Sequence, residues 1–183
     1  MGRKSFDTVG DVLFWSYANL AMADAAVRKG AKSYRVEHYM IRAKLYKGLC
    51  TGSILPTSLY ADEREKLLAQ GKCSYCGSLD QPTLDHLLPR ARGGNDQPEN
   101  LVFACRSCNG SKGKRDVLEW AAKRETFLPL SLIRRYLKLA IRHSVENDLL
   151  NIPVTDHDRV VLPFSIDFIP MKYPKPDDLV WSL

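Results

Sequence analysis

Apolar residues recur at helical spacing near the start of the chain. Within residues 7–28, the positions that repeat at intervals of three, four or seven are Val9, Leu13, Tyr17, Leu20 and Val27. This period predicts a helix that buries one face in a core. Asp7 or Thr8 is placed to cap the start of the helix, and Gly30 is placed to end it.

A second helix is predicted over residues 33–46, with two contrasting faces. The apolar face that we expect to be buried contains Val36, Tyr39, Met40 and Ala43. The other face carries a basic stripe of Lys32, Arg35, His38 and Arg42. Such a stripe is either a solvated helix face or a surface that contacts phosphate groups, and the sequence leaves both interpretations open.

Apolar periodicity and terminal residues predict three more helices. A short charged helix is predicted over residues 61–70, ending at Gly71, and another over residues 116–123. Residues 131–150 carry the clearest helical period, at Ile133, Leu137, Ala140 or Ile141, Val145 and Leu149. A basic line lies on another face of that helix, formed by Arg134 or Arg135, Lys138 and Arg142. We expect this line to contribute to phosphate binding.

The last part of the chain has a different pattern. From Pro153 onward, short apolar runs are interrupted by prolines, which oppose helix formation. We expect this tail to wrap the surface in extended form. The alternative is that its aromatic residues dock a protein partner, and these are Phe164, Phe168, Tyr173 and Trp181.

Two short strands are predicted in the middle of the chain, over residues 83–87 and 101–104. The loop between them contains Pro89 and the run Gly93-Gly94-Asn95-Asp96, which requires unusual backbone angles. A helix follows the second strand. The sequence therefore predicts a ββα unit.

Two Cys-x-x-Cys pairs bracket this unit. They are Cys73 with Cys76 and Cys105 with Cys108, separated by 28 residues. Two pairs of thiolates on tight turns are typical of a four-cysteine zinc site, which leaves no open coordination position and is therefore structural. A redox-active dithiol is the alternative, and the matching of two pairs opposes it. Cys50 is left as a free thiol.

The order of these parts resembles the HNH (ββα-metal, His-Me finger) endonuclease family in its four-cysteine form. The matching residues are Asp85 and His86, Asn100 in the middle, and Asn109 where the family most often carries a second histidine. The chain thus resembles an HNN variant. The resemblance covers about 45 of the 183 residues and implies a metal-dependent nuclease that leaves 5′-phosphate and 3′-hydroxyl ends.

The resemblance also implies a role for each matching residue. His86 would be the general base, because a neutral imidazole accepts a proton from water near pH 7. Asp85 and Asn109 would hold a catalytic divalent ion, Mg²⁺ or Mn²⁺, through oxygen atoms. Asn100 would brace the loop that aims His86, as the family's middle asparagine does. Successive side chains on a regular strand point to opposite faces, so Asp85 and His86 converge only if the strand is irregular.

Each of these residues has a structural alternative. His86 alone could be a satisfied core histidine, but Asp85 beside it and the basic loop after it favour a functional role. Asn100 could be a turn residue before a strand, and Asn109 could cap the following helix.

A set of cations flanks the motif, consisting of Arg90, Arg92, Lys112, Lys114 and Arg115. Residues 103–115 contain no acidic residue, which favours a nucleic-acid groove over a solvated surface. The whole chain carries a net charge of +6, with nine Lys/Arg against four Asp/Glu in residues 1–48 and three against five in residues 151–183. DNA is therefore the expected partner.

The sequence predicts a single α+β domain in which a small ββα-metal zinc-knuckle core is embedded in helices. The hydrophobic fraction of 45% is typical of soluble globular proteins, and the expected localisation is intracellular, with no membrane association. The predicted regions are an N-terminal helical support (1–70), the nuclease module (71–124), a C-terminal helix (125–152) and the tail (153–183).

The function expected from the resemblance is DNA cleavage, in restriction or antiphage defence. Two alternatives remain: a non-catalytic zinc module that binds nucleic acid or protein, and a nuclease subunit of a larger complex docked through its tail.

Overall fold

The structure, a computed structural model, describes residues 6–183, so the first five residues of the predicted region 1–70 lie outside the described residues. In chain order the elements are α1 (Val9–Arg28), α2 (Val36–Cys50), α3 (Tyr60–Leu68), β1 (Pro82–His86), β2 (Leu101–Cys105), α4 (Arg106–Lys112), α5 (Val117–Ala122) and α6 (Leu130–Glu146). The strands form a two-stranded antiparallel sheet. This mixture confirms the predicted α+β class.

Helix α1 is the central support of the helical part, where it packs against both α2 and α6. Thr8 caps its start in a reciprocal arrangement with Asp11: the Asp11 amide donates to Thr8 Oγ1 at 3.1 Å, and the Thr8 amide donates to Asp11 Oδ2 at 3.1 Å. Gly30 follows its end with a φ of +60°. Neither α1 nor any other helix within residues 6–183 has the length and apolarity needed to cross a membrane.

The prediction for the faces of α2 was wrong. Val36 is 73% exposed and Met40 is 65% exposed, while His38 is buried. Its Nδ1 accepts a hydrogen bond from the Arg35 amide at 2.9 Å, which turns the imidazole inward. Tyr39 and Ala43, also predicted to be buried, are exposed. The predicted basic stripe is therefore divided, with only its two N-terminal members, Lys32 and Arg35, exposed to solvent.

Arg42, from the same stripe, is held against the protein. Its guanidinium lies 4.5 Å from the ring centroid of Trp15, and Nη1 donates to Asn19 Oδ1 at 3.1 Å. A cation stacked on an aromatic ring in this way contributes to the α1–α2 interface.

The predicted basic line of α6 is also not a free surface. Arg134 Nε lies 2.8 Å from Asp62 Oδ1, and Lys138 Nζ lies 2.8 Å from Asp62 Oδ2. Arg135 pairs with Glu63, and Arg142 Nη1 lies 3.6 Å from Glu99 Oε1. These cations bind α3 and the loop before β2. Because carboxylates pair with these cations, they do not form the free basic line that was expected to bind phosphate.

The tail packs onto the body in short turns and extended segments. Its buried residues are Leu162, Pro163, Phe164, Ile166, Ile169, Pro176 and Leu179. The backbone amides of Leu130 and Ser131 donate to the carbonyls of Val180 and Trp181 at 3.0 and 2.9 Å. The end of the tail therefore satisfies two of the amide groups that the start of α6 leaves unpaired. Phe164, Tyr173 and Trp181 all pack within the chain, and Phe168 is 39% exposed.

We predict that Asp62→Ala lowers the free energy of unfolding by about 3–5 kcal/mol, because it leaves the cations of Arg134 and Lys138 buried without their shared carboxylate. Glu99→Ala is the matched control. It removes a carboxylate from the longer, more solvated pair with Arg142, and we expect a loss below about 1 kcal/mol. Chemical denaturation of both variants measures the difference. Equal losses would show that the α3–α6 network contributes no more than a surface pair.

Candidate active site and metal centre

Each cysteine pair lies on a tight turn. In the first turn, the Cys73 amide donates to the Ser78 carbonyl and the Gly77 amide donates to the Cys73 carbonyl, both at 2.8 Å. Gly77 has a φ of +75°, which favours glycine. The second turn overlaps the start of α4, where the Cys108 amide donates to Cys105 Sγ at 3.4 Å.

The fold brings the four sulfur atoms together. They all lie within 4.8 Å of one another, and Cys76 Sγ lies 3.8 Å from Cys105 Sγ. Tetrahedral coordination with Zn–S bonds of about 2.3 Å requires sulfur atoms about 3.8 Å apart. The cluster therefore fits a zinc ion. Cys50 is exposed at the end of α2 and takes no part in the cluster.

The thiols of the cluster differ in the direction of their pKa shifts. Burial raises the pKa of the Cys108 thiol, whereas the Cys108 amide that donates to Cys105 Sγ lowers the pKa of Cys105. Several thiolates at this spacing repel one another, so a bound cation is what allows all four to be deprotonated.

Strands β1 and β2 pair in a regular register, with Asp85 opposite Val102 and His86 opposite Leu101. Thr83 and Asp85 face the side on which α4 packs, and His86 points to the other side. The two adjacent residues of the motif therefore diverge, as the strand period requires.

Asp85 is only 6% exposed and is neutralised within the protein. Lys112 Nζ lies 3.1 Å from Oδ1 and 3.0 Å from Oδ2, and the Tyr75 hydroxyl donates to Oδ2 at 2.7 Å. Burial and the adjacent Asp85 carboxylate raise the pKa of Tyr75 well above its usual value, so this phenol remains a hydrogen-bond donor. The turn between Cys73 and Cys76, which carries Tyr75, therefore contacts Asp85 directly.

His86 is partly exposed and pairs with an acid from the loop. Its Nε2 lies 2.6 Å from Asp96 Oδ1, and Arg90 Nε lies 3.4 Å from the same oxygen. Because the carboxylate can only accept a hydrogen bond, Nε2 is the donor, and in the neutral ring Nδ1 then carries the lone pair.

The loop between β1 and β2 is tied together by Asn100, whose side chain is fully buried. Asn100 Oδ1 accepts from the Leu88 amide at 2.8 Å, and Nδ2 donates to the carbonyls of Leu88 and Asn95 at 2.9 and 2.7 Å. At Gly94, a Cβ atom would lie 2.0 Å from the Leu88 carbonyl oxygen, so only glycine fits there. Together these contacts shape the segment that carries Asp96.

Asn109 lies on α4 and faces β1. Its Nδ2 donates to Thr83 Oγ1 at 2.9 Å and to the Leu84 carbonyl at 3.2 Å. This directs the amide nitrogen towards the strand and leaves Oδ1 available as an oxygen ligand. Carboxylate and amide oxygens are ligand types that suit Mg²⁺ or Mn²⁺, so the chemistry of Asp85 and Asn109 fits such an ion, although Lys112 occupies the Asp85 carboxylate in this structure.

The five predicted nucleic-acid contacts separate into two groups. Arg90, Lys114 and Arg115 are exposed beside the motif. Arg92 is tied to the tail, since Nη1 donates to Ser165 Oγ at 3.0 Å. Lys112 is 1% exposed and points into the protein, so in this structure it has no surface from which to contact phosphate.

Three further residues belong to the site and were missed by sequence reasoning. Tyr75 and Asp96 contact Asp85 and His86 directly. Arg106 is exposed in the first turn of α4, three residues before Asn109, and so lies on the same side of the helix. The three-residue spacing between Arg106 and Asn109 could have predicted that both side chains lie on one side of α4. Nothing in the sequence pairs Tyr75 with Asp85 or Asp96 with His86.

We predict one tightly bound zinc ion per chain. Cys73→Ser should release it and lower the free energy of unfolding by several kcal/mol, because metal binding to such sites is coupled to folding. Cys50→Ser is the matched control and should retain both the zinc and the stability. Elemental analysis of the purified variants measures the metal content. Folded wild-type protein that contains no zinc would contradict the prediction.

Comparison with known proteins identifies the central segment. The family model described as HNH endonuclease matches residues 73–115. An alignment over 85 residues with the CRISPR-associated endonuclease Cas9 of Corynebacterium diphtheriae is 35% identical and covers 34% of this chain and 8% of that protein. The chain thus spans only a small part of this relative. No solved structure is significantly similar. The matched segment contains the cysteine cluster, the ββα unit and the Asp85-His86 pair, so residues 73–115 form an HNH endonuclease domain.

Proposed function

We propose that this protein is a metal-dependent endonuclease that hydrolyses phosphodiester bonds in DNA. One observation carries the proposal: His86, with a free Nδ1, follows Asp85 at the end of β1, while α4 places Asn109 against the same strand. The similarity to a CRISPR-associated endonuclease supports DNA as the substrate and defence against invading DNA as the biological setting.

His86 acts as the general base in this mechanism. Asp96 binds the Nε2 proton, which fixes the ring and leaves Nδ1 to accept a proton from the attacking water. Asn100 holds the loop that presents Asp96, so its part in the reaction is indirect.

Asp85 and Asn109 supply the oxygen ligands for a divalent ion. Such an ion, when bound, stabilises the negative charge that develops on the phosphate and on the departing 3′ oxygen. Asn109 holds its carbonyl oxygen in place through the two hydrogen bonds that its amide nitrogen makes to β1.

The DNA backbone is bound by the exposed cations beside the motif, Arg90, Arg106, Lys114 and Arg115. Arg115 is partly anchored by donating to the carbonyls of Lys112 and Ser111. The cations of α6 are excluded from this surface by their carboxylate partners.

A second candidate function is a non-catalytic zinc module that binds nucleic acid. The observation that favours it is the enclosure of Asp85 by Lys112 and Tyr75, which removes the carboxylate from solvent. The retention of His86 and Asn109 favours the nuclease, because nucleic-acid binding alone requires neither.

We predict that His86→Ala lowers the rate of plasmid cleavage in Mg²⁺ or Mn²⁺ by about 10²–10⁴-fold, because it removes the general base. DNA affinity should be unchanged, because separate cations bind the phosphates. The matched control is His157→Ala, which removes a histidine of the tail that pairs with Asp158 and Asp167. Wild-type protein that binds DNA without cutting it in either ion would favour the zinc-module function instead.

We predict that Arg106→Ala and Lys114→Ala each weaken binding to duplex DNA. Each lost phosphate contact should reduce the slope of log affinity against log salt concentration by roughly 0.9. Lys47→Ala, which removes an exposed cation of α2, should leave the slope unchanged. The slopes are measured by fluorescence anisotropy with labelled duplex. An unchanged slope in both site variants would place the DNA on another surface.

A further inference from the structure

The Asp85 carboxylate already binds a cation that belongs to the chain. Lys112 Nζ lies 3.1 Å from Asp85 Oδ1, 3.0 Å from Asp85 Oδ2 and 3.0 Å from the His86 carbonyl oxygen. An ammonium group has three hydrogens to donate, and three oxygen atoms surround this one. Lys112 is 1% exposed, so the contacts exchange little with water.

The helix places this lysine where an ion would otherwise bind. Lys112 lies three residues after Asn109 on α4, so both side chains leave the helix on the side that faces β1. Asn109 contacts Thr83 and Leu84, and Lys112 contacts the next two residues along the strand. The ammonium therefore occupies the Asp85 end of the pair of proposed ligands.

A divalent ion and this ammonium compete for the same carboxylate. Mg²⁺ requires oxygen ligands at about 2.0–2.1 Å. A second cation on the same two oxygen atoms, in a buried position with a low effective dielectric constant, would meet strong repulsion. This repulsion favours binding of one cation at a time.

Building on the proposed function, in which Asp85 ligates the catalytic ion, we propose that Lys112 is a resident cation that competes with this ion for Asp85. Binding of the divalent ion is then an exchange reaction. The Lys112 ammonium leaves the carboxylate and the ion takes its place, so Asp85 is never left buried without a counter-charge.

The exchange has a measurable consequence for affinity. When only a fraction of the molecules has the lysine displaced, the apparent dissociation constant for the ion is raised by the inverse of that fraction. Lys112→Met removes the competitor and keeps a side chain of similar length, so the ion should bind more tightly. A purely structural ion pair predicts no gain in affinity.

The first experiment measures binding of Mn²⁺ alone by the loss of the free-ion signal in electron paramagnetic resonance, with the zinc-loaded full chain and no DNA. We expect Lys112→Met to bind Mn²⁺ about tenfold more tightly than the wild type. Lys66→Met is the matched control, because Lys66 is also tied to backbone carbonyls beside β2, those of Pro98 and Leu101, and does not contact Asp85. Equal affinities in wild type and Lys112→Met, or no binding by Lys112→Met, would overturn the proposal.

The second experiment uses the wild-type chain and remains decisive if Lys112→Met does not fold. Acylation of lysine amines, followed by mass spectrometry, reports which ammonium groups are accessible. We expect Lys112 to be protected without Mn²⁺ and to react about tenfold faster with Mn²⁺ bound, while Lys66 is unaffected. Protection of Lys112 that persists while Mn²⁺ is bound would show that no exchange occurs.

These measurements separate the proposal from the function on which it builds. Exposure of Lys112 by Mn²⁺ in a protein that does not cut plasmid would support the exchange and contradict the nuclease activity. Cleavage of plasmid by a protein whose Lys112 stays protected with Mn²⁺ bound would support the nuclease activity and contradict the exchange.

Discussion

The convergence of four thiol groups is the constraint on which the rest of the site depends. The ββα unit has only five residues in each strand and seven in α4, too few to bury a core of its own. The cysteine cluster joins the turn before β1 to the junction of β2 and α4. By holding the first turn in place, it also brings Tyr75 under Asp85 and against Trp120, at a ring-centroid distance of 5.2 Å. The cysteine cluster and the Asp85-His86 pair are therefore mechanically connected.

The helices around this unit use charge mainly to hold the chain together. A net charge of +6 suggests a broad DNA-binding surface. However, Arg134, Arg135 and Lys138 form ion pairs with the acidic residues of α3, Asp62 and Glu63. Arg42 also has a structural role, because its guanidinium stacks on the ring of Trp15. The cations of α6 and Arg42 are therefore not free for a polyanion, whereas Arg90, Arg106, Lys114 and Arg115 are exposed beside the motif.

The two halves of the Asp85-His86 pair have opposite environments although they are adjacent in sequence. His86 is partly exposed and binds Asp96 through Nε2. Asp85 is enclosed, and its charge is balanced by Lys112. Burying an unpaired carboxylate is costly, and the Lys112 ammonium offsets that cost. A metal ion that bound Asp85 would therefore require the Lys112 side chain, at the end of α4, to move.

The sequence by itself determined the parts of this protein that depend on short-range patterns. Helical periodicity, a cap at Asp7 or Thr8, the strands on either side of a glycine-rich loop and the paired cysteines are all local signals, and the structure contains each of them, with Thr8 as the cap. Only the tertiary structure decided which face of α2 is buried, because Val36 and Met40 are as apolar as core residues and the inward position of His38 depends on how α2 packs against α1. It also decided the partners of charged residues. Lys112 and Asp85 are 27 positions apart, Lys138 and Asp62 are 76 apart, and no spacing rule connects charges over such distances. Burial and long-range pairing are properties of the packed chain, and the function of each basic residue depends on them.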